Sequence, residues 1–196
     1  MESTKTANRA ATASRTAVRM LCEGALFIAV AQILGYLKLF HLPWGGSLSL
    51  MMLPILLYAV RWGVGPGLLS GLILGILQFM LDGGIAIGWQ SIIGDYLIAC
   101  MLLGLAGVFR GRSWGVFAGV ALGCIGRFAS IYITGATLWA VYMPEQFFGM
   151  TMTSPWFYSL LYNGFAVGGS MVLCLIVTGL LFKPLKKYFL GQDIRK

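Results

Sequence analysis

Asp95, Tyr96, Arg127, Tyr132, Thr134, Trp139, Tyr158 and Asn163 are the residues of this sequence best placed to do chemistry, because all fall within or against long apolar stretches. A polar group inside a membrane is costly and is retained where it binds, pairs or relays something. A carboxylate accompanied by several aromatic rings suits a flat, cationic organic ligand. The acid supplies charge-assisted hydrogen bonds, and each Trp or Tyr face attracts a cation by about 0.5–2 kcal/mol. Binding is therefore expected, not catalysis. The one histidine is His41, and no HExxH, GxSxG or Ser/His arrangement occurs, so no catalytic residue, metal site or cofactor is expected. Cys22, Cys100, Cys124 and Cys174 lack CxxC spacing and read as small apolar residues. No GxxxxGK(S/T) is present, so active transport would draw on a separate ATPase or a coupled ion.

Membrane helices must hold these residues. Apolar residues make up 59% of the 196-residue chain and charged residues 10%, with a mean hydropathy of +0.85. Soluble domains carry roughly 25% charged residues. The composition excludes a cytosolic enzyme, a disordered chain and a secreted disulfide scaffold, and predicts an all-α, multi-pass membrane protein. Six apolar segments are bounded by charge, Gly or Pro: 20–39, 48–60, 64–81, 92–109, 114–138 and 157–182. A spanning helix needs about 20 residues. The second segment, with Pro54 inside, is short and is expected to kink or to span only in part. The organisation predicted is a basic tail over 1–19, a six-helix domain over 20–182 and a second basic tail over 183–196.

Charge sets the orientation. Lys5, Arg9, Arg15, Arg19, Arg61, Arg110, Arg112, Lys183, Lys186, Lys187, Arg195 and Lys196 share one side of an N-in, C-in arrangement, and the loops opposite hold only Lys38. This is the positive-inside pattern. The basic excess thus reads as topology against a lipid bilayer, not as nucleic-acid binding. Residues 1–19 also resemble a transit peptide and Ala29-Val30-Ala31 a signal-cleavage triplet, but the apolar run continues past the triplet, so a cytoplasmic tail and an uncleaved helix are expected.

In that arrangement the hydrogen-bonding groups collect in the outer third. Asp95 and Tyr96 lie about one turn into the fourth segment, Arg127 is roughly 20 Å up the fifth, and Tyr162-Asn163 are one to two turns down the sixth. The inner half is almost purely apolar, which argues against a continuous channel and for a pocket open to the exterior. Plainer roles stay open. Arg127 serves as a counter-ion of Asp95 or Asp82, Trp139, Trp156 and Tyr158 as interfacial aromatics, and Asn163 as a helix–helix hydrogen bond. Gly67-Gly71-Gly75 and Gly115-Gly119-Gly123 form ridges for close helix packing, whereas Ala25 and Ala29 could equally receive a partner's helix.

The ordered set Ala25-xxx-Ala29, 47–50 (SLSL), 53–55 (LPI), 58–61 (YAVR), Asp95-Tyr96, 104–110 (GLAGVFR), Arg127-Phe128, Gly135, Trp139, Tyr142 and 158–164 (YSLLYNG) resembles the thiamine-specific substrate-binding (S) components of energy-coupling-factor (ECF) transporters, the ThiT-like family. The resemblance implies a six-helix bundle in a bacterial plasma membrane that captures thiamine near the extracellular face. It implies that Asp95 and Asn163 bind the aminopyrimidine, that Tyr158 hydrogen-bonds there, that Trp139 stacks and that Tyr96 lies by the thiazolium. Trp44 corresponds to a Trp of the first outer loop, and Tyr132 lies in the same outer cluster. Ala25 and Ala29 would face the transmembrane coupling subunit, which connects to two ATP-binding subunits. Two positions depart from the family: its acidic residue is usually Glu, and a frequent pocket His falls on Ile131. The alternatives are an S-component for riboflavin or a pyrimidine precursor, a solitary proton-coupled thiamine carrier, and an intramembrane enzyme acting on lipid.

Overall fold

The computed structural model describes residues 2–41, 46–81 and 86–194. Among these, regular structure is mostly helix: α1 (Glu2–Tyr36), α2 (Met52–Trp62), α3 (Val64–Leu81), α4 (Trp89–Phe109), α5 (Ser113–Thr137) and α6 (Pro155–Phe189). All but α2 are long and apolar enough to cross a membrane. The expected segments agree in mid-chain and differ at the ends. The helix begins at Glu2, not after a separate tail, because no Gly or Pro interrupts the sequence before Gly24. At the other end α6 runs through Pro184 to Phe189.

The purely helical expectation also missed two antiparallel hairpins: β1 (Phe40–His41) with β2 (Ser47–Leu48), and β3 (Gln146–Phe147) with β4 (Met150–Thr151). Two-residue strands leave no alternating pattern to read. Phe148 and Gly149 connect the second pair with φ of 51° and 75°, the positive values that a tight type I′ connection requires.

α2 resolves the question of the short segment. All its residues are buried, ringed by α1, α3, α4, α5 and α6. At 1.5 Å per residue it measures about 16 Å, roughly half of a hydrocarbon core. A helix enclosed by protein need not match the bilayer. The glycine ridges pack the enclosure. A Cβ at Gly71 would lie 2.2 Å from the Cys100 carbonyl oxygen and one at Gly75 would lie 2.4 Å from that of Tyr96, so α3 presses its backbone onto α4. A Cβ at Gly119 would come within 2.3 Å of the Ala106 carbonyl oxygen, where α5 meets the other side of α4. Lipid is as apolar as Leu, so such contact, more than apolar burial, holds these helices together.

The end of the bundle opposite the hairpins is tied by charge. Arg61, read from sequence as a loop cation, is fully buried. Its Nε donates to Glu23 Oε2 (2.7 Å), Nη1 to the Tyr188 carbonyl (2.7 Å) and Asp193 Oδ1 (2.8 Å), and Nη2 to Glu23 Oε1 (3.1 Å) and Asp193 Oδ2 (2.9 Å). Every guanidinium N–H is thereby used. The guanidinium also lies 3.6 Å from the Tyr188 ring centroid. Glu23 accepts further bonds from Arg19, Trp62 Nε1 and the Tyr188 hydroxyl. Beyond the helices, the Arg61 guanidinium holds the Asp193 carboxyl well below the usual carboxylate range. One buried cation joins α1, α2 and the C-terminal segment.

Candidate ligand-binding site

Two departures from α-helical winding shape the site. Residues Ile92–Ile98 of α4 form a π-helical stretch that carries Asp95 and Tyr96, and Gly164–Gly168 of α6 form a second one directly after Asn163. π turns widen a helix and re-aim side chains, and they recur at functional sites. In the first, the Gly94 carbonyl accepts a hydrogen bond from Ser130 Oγ at 2.7 Å, anchoring the stretch to α5. α6 is started by Ser154, whose side chain accepts from the Phe157 N–H at 3.2 Å with Pro155 in the first turn.

Between these helices lies a cavity of about 240 Å³. Asp95 and Tyr96 line it from α4, Arg127, Ile131 and Gly135 from α5, and Trp139 and Tyr142 from the turn that follows. α6 contributes Tyr158, Ser159, Tyr162 and Asn163, and the segment leading into α2 contributes Gly46, Ser49 and Met51. Six of the sequence-derived candidates therefore share one cavity: Asp95, Tyr96, Arg127, Trp139, Tyr158 and Asn163. Trp44 lies outside the described residues. Tyr132 does not line the cavity. Its ring stacks on Phe128 (centroids 5.6 Å apart) and leans on Trp156 (5.5 Å). Ile131 faces inward, and one residue along a helix turns the side chain by about 100°.

Asp95 is held by neutral donors. Ser91 Oγ donates to Oδ2 at 2.7 Å, Trp139 Nε1 donates to Oδ2 at 2.8 Å, and Thr134 Oγ1 donates to Oδ1. Among the described residues no Lys or Arg forms an ion pair with it. The expected Arg127 partnership is absent: Arg127 Nη1 donates instead to Cys100 Sγ at 2.9 Å. Seven residues separate Arg127 from Thr134 on α5, so its Cα lies about 10 Å along the axis from the residue that bonds Asp95. Asp82, the other candidate, lies outside the described residues.

Asn163 combines two of its possible roles. Nδ2 donates to the Ile131 carbonyl (3.2 Å) and to Ser159 Oγ (3.1 Å), joining α6 to α5. Both amide hydrogens are spent on protein, which leaves Oδ1 as the acceptor for a ligand N–H. Ser159 in turn donates to the Tyr132 carbonyl at 2.8 Å. Gly135 makes room for the pair: a Cβ there would stand 2.5 Å from Ser159 Oγ and 2.8 Å from Asn163 Nδ2. The hairpins cover the mouth. The Gly46 N–H donates to the Tyr162 hydroxyl at 2.8 Å, and Phe147 meets Tyr158 edge-on with centroids 5.3 Å apart. Sequence reasoning passed over Ser91 and Ser159, although each stands four residues before a candidate it supports. Ser49 stood in the 47–50 stretch but with no role attached, and Gly46 carried no signal, because the first hairpin brings them in.

A bundle of apolar helices closed around an aromatic cavity at one end, lined by one carboxylate, Asp95, and two cations, Lys38 and Arg127, has the build of a membrane-embedded small-molecule-binding protein. The family model described as thiamine transporter protein (Thia_YuaJ) matches residues 21–190, and the chain belongs to that family. Thiamine transporter ThiT of Bacillus subtilis (strain 168) is 33% identical over 184 residues, covering 86% of this chain and 92% of the relative. Thiamine transporter ThiT of Lacticaseibacillus paracasei is 29% identical over 195 residues, covering 89% and 92%. A solved structure of ThiT from Listeria monocytogenes shares the fold with a TM-score of 0.78 at 23% identity, over 88% of this chain and 97% of that one. With its long apolar helices and bacterial relatives named as transporters, the chain is a multi-pass bacterial membrane protein and not an enzyme.

Proposed function

We propose that this protein captures thiamine from outside the cell and serves as the substrate-binding subunit of an ATP-driven ECF importer. The observation that carries the reading is Asp95, a carboxylate fixed by three neutral donors and paired with no cation among the described residues. Such a group keeps its negative charge available for a ligand. The cavity, at about 240 Å³, lies just under the usual range of ligand pockets, so its occupant must be small. In this reading Asp95 binds the aminopyrimidine and its charge offsets the nearby thiazolium. The Asn163 oxygen accepts from the exocyclic amine, Tyr158 adds a hydrogen bond, and Trp139 stacks, its indole plane fixed by the bond to Asp95. Tyr96 borders the thiazolium. Six membrane crossings with both termini inside follow from the basic residues gathered at one end of the bundle, with α2 as the enclosed, short crossing.

Ala25 and Ala29 lie on an exposed face of α1, next to exposed Cys22. That face is proposed to receive the coupling subunit, with two ATP-binding subunits beyond it. Small side chains permit the close helix contact such a joint requires.

A thermal-shift screen across B vitamins in detergent tests the ligand, with thiamine expected to raise the melting temperature most. Thiamine at sub-micromolar concentration should also quench Trp fluorescence, and Trp139→Phe should remove most of that response. A folded protein silent at about 100 µM, in a range where even weak complexes form, would overturn the reading. Ala25→Trp should leave thiamine binding unchanged and abolish uptake in vesicles that carry the coupling module and ATP. Undiminished uptake would remove the docking role. Uptake without any ATPase would point to a solitary carrier.

A further inference from the structure

We propose that the cationic surface where the start of α5 meets the end of α6 binds the headgroup of an anionic phospholipid. Phe117 of α5 and Phe182 of α6 meet there with ring centroids 5.3 Å apart. Lys186 Nζ lies 6.0 Å from the Phe182 ring centroid, and the Arg112 guanidinium lies 5.5 Å from that of Trp114, itself 56% exposed. Arg112, Lys183, Lys186 and Lys187 are all exposed, and among the described residues none forms an ion pair. Among the described side chains no carboxylate pairs with them. Glu23 and Asp193, at this end of the bundle, are bonded to Arg61 and Arg19, while Asp95 and Glu145 belong to the opposite end.

The surface leading away from these cations is built for acyl chains. Val172, Ile176 and Leu180 of α6 are each more than half exposed, and their spacing of four sets them in one stripe. At about 100° per residue, Lys183 and Lys187 fall within the same arc, roughly 80° wide. An apolar stripe alone faces any lipid. A stripe that ends in two cations, Lys183 and Lys187, with Lys186 on the adjoining face and Arg112 beside an exposed Trp on α5, selects the sign of the headgroup, since each basic residue at the surface attracts anionic lipid and Trp settles at headgroup level. In the orientation proposed above, this surface lies in the cytoplasmic leaflet. The inference does not depend on which molecule fills the cavity.

Lipid retained by purified protein tests it. After exchange into neutral detergent, mass spectrometry should find phosphatidylglycerol-type lipid kept in preference to phosphatidylcholine. Nanodiscs of the anionic lipid should raise the melting temperature above that in the zwitterionic one. In R112Q/K183Q/K186Q/K187Q the retained lipid should fall about fivefold for each charge removed, with the thiamine response intact. Should the quadruple variant fail to fold, K183Q/K187Q tests the same stripe at two exposed positions. Equal retention of both lipids, or undiminished retention in K183Q/K187Q, overturns the proposal. Millimolar inorganic phosphate should give no stabilisation, and a rise matching that from lipid would also overturn it, in favour of a free-anion site.

Discussion

Asp95→Asn is expected to weaken thiamine binding by about 2–5 kcal/mol, the loss seen when one partner of a buried charged hydrogen bond is removed. That corresponds to roughly thirtyfold to a few thousandfold in Kd. The substitution is nearly isosteric, yet its amide does two kinds of harm. It takes away the charge that faces the cationic ligand. It also turns an NH2 toward donors, because Ser91 and Trp139 both donate to Oδ2 and Thr134 donates to Oδ1, so one oxygen site must now present hydrogens to an O–H or N–H. Asp95→Glu, which installs the residue more usual in the family, should keep most of the affinity. Isothermal titration on detergent-solubilised protein measures all three. Unchanged affinity in Asp95→Asn would mean that the cavity serves an uncharged ligand such as riboflavin.

Glu23→Ala should have the largest effect on stability, about 3–5 kcal/mol, typical of a buried ion pair stripped of one partner. Glu23 receives two of the Arg61 donors as well as Arg19, Trp62 and Tyr188. Asp193 alone cannot satisfy a fully buried guanidinium. The apolar double variant Glu23→Leu/Arg61→Met should recover much of the loss, because it leaves no uncompensated charge in the interior. Melting temperatures in detergent decide this, and a Glu23→Ala protein as stable as the parent would show that the network carries little. Thiamine affinity of the folded fraction should not change, since the network and the cavity occupy opposite ends of the bundle.

The two variants also separate what could be read in advance from what could not. Asp95 was legible because a lone acid in an apolar helix is conspicuous whatever surrounds it. Arg61 was not: its type and its place between two apolar segments matched a topology-setting loop charge. Its partners Glu23 and Asp193 stand far away in sequence, and no local pattern announces them. The same limit explains Arg127. Two opposite charges in neighbouring helices invite pairing, and only the folded structure shows Arg127 bonded to Cys100 instead. Tyr132 failed by rotation rather than by depth, one residue and about 100° from the inward-facing Ile131.

From the amino-acid sequence alone came the membrane class, the segment boundaries in mid-chain, the shortness of the second helix and the gathering of costly side chains at one end. All of these follow from how strongly single residue types prefer lipid, protein or water, which is additive and local. Which of those side chains share a cavity, which cation is buried, and what Asp95 is bonded to were decided by the tertiary structure. Two π turns, two hairpins and a set of glycine contacts fix those directions. They depend on distances between helices that meet only after folding.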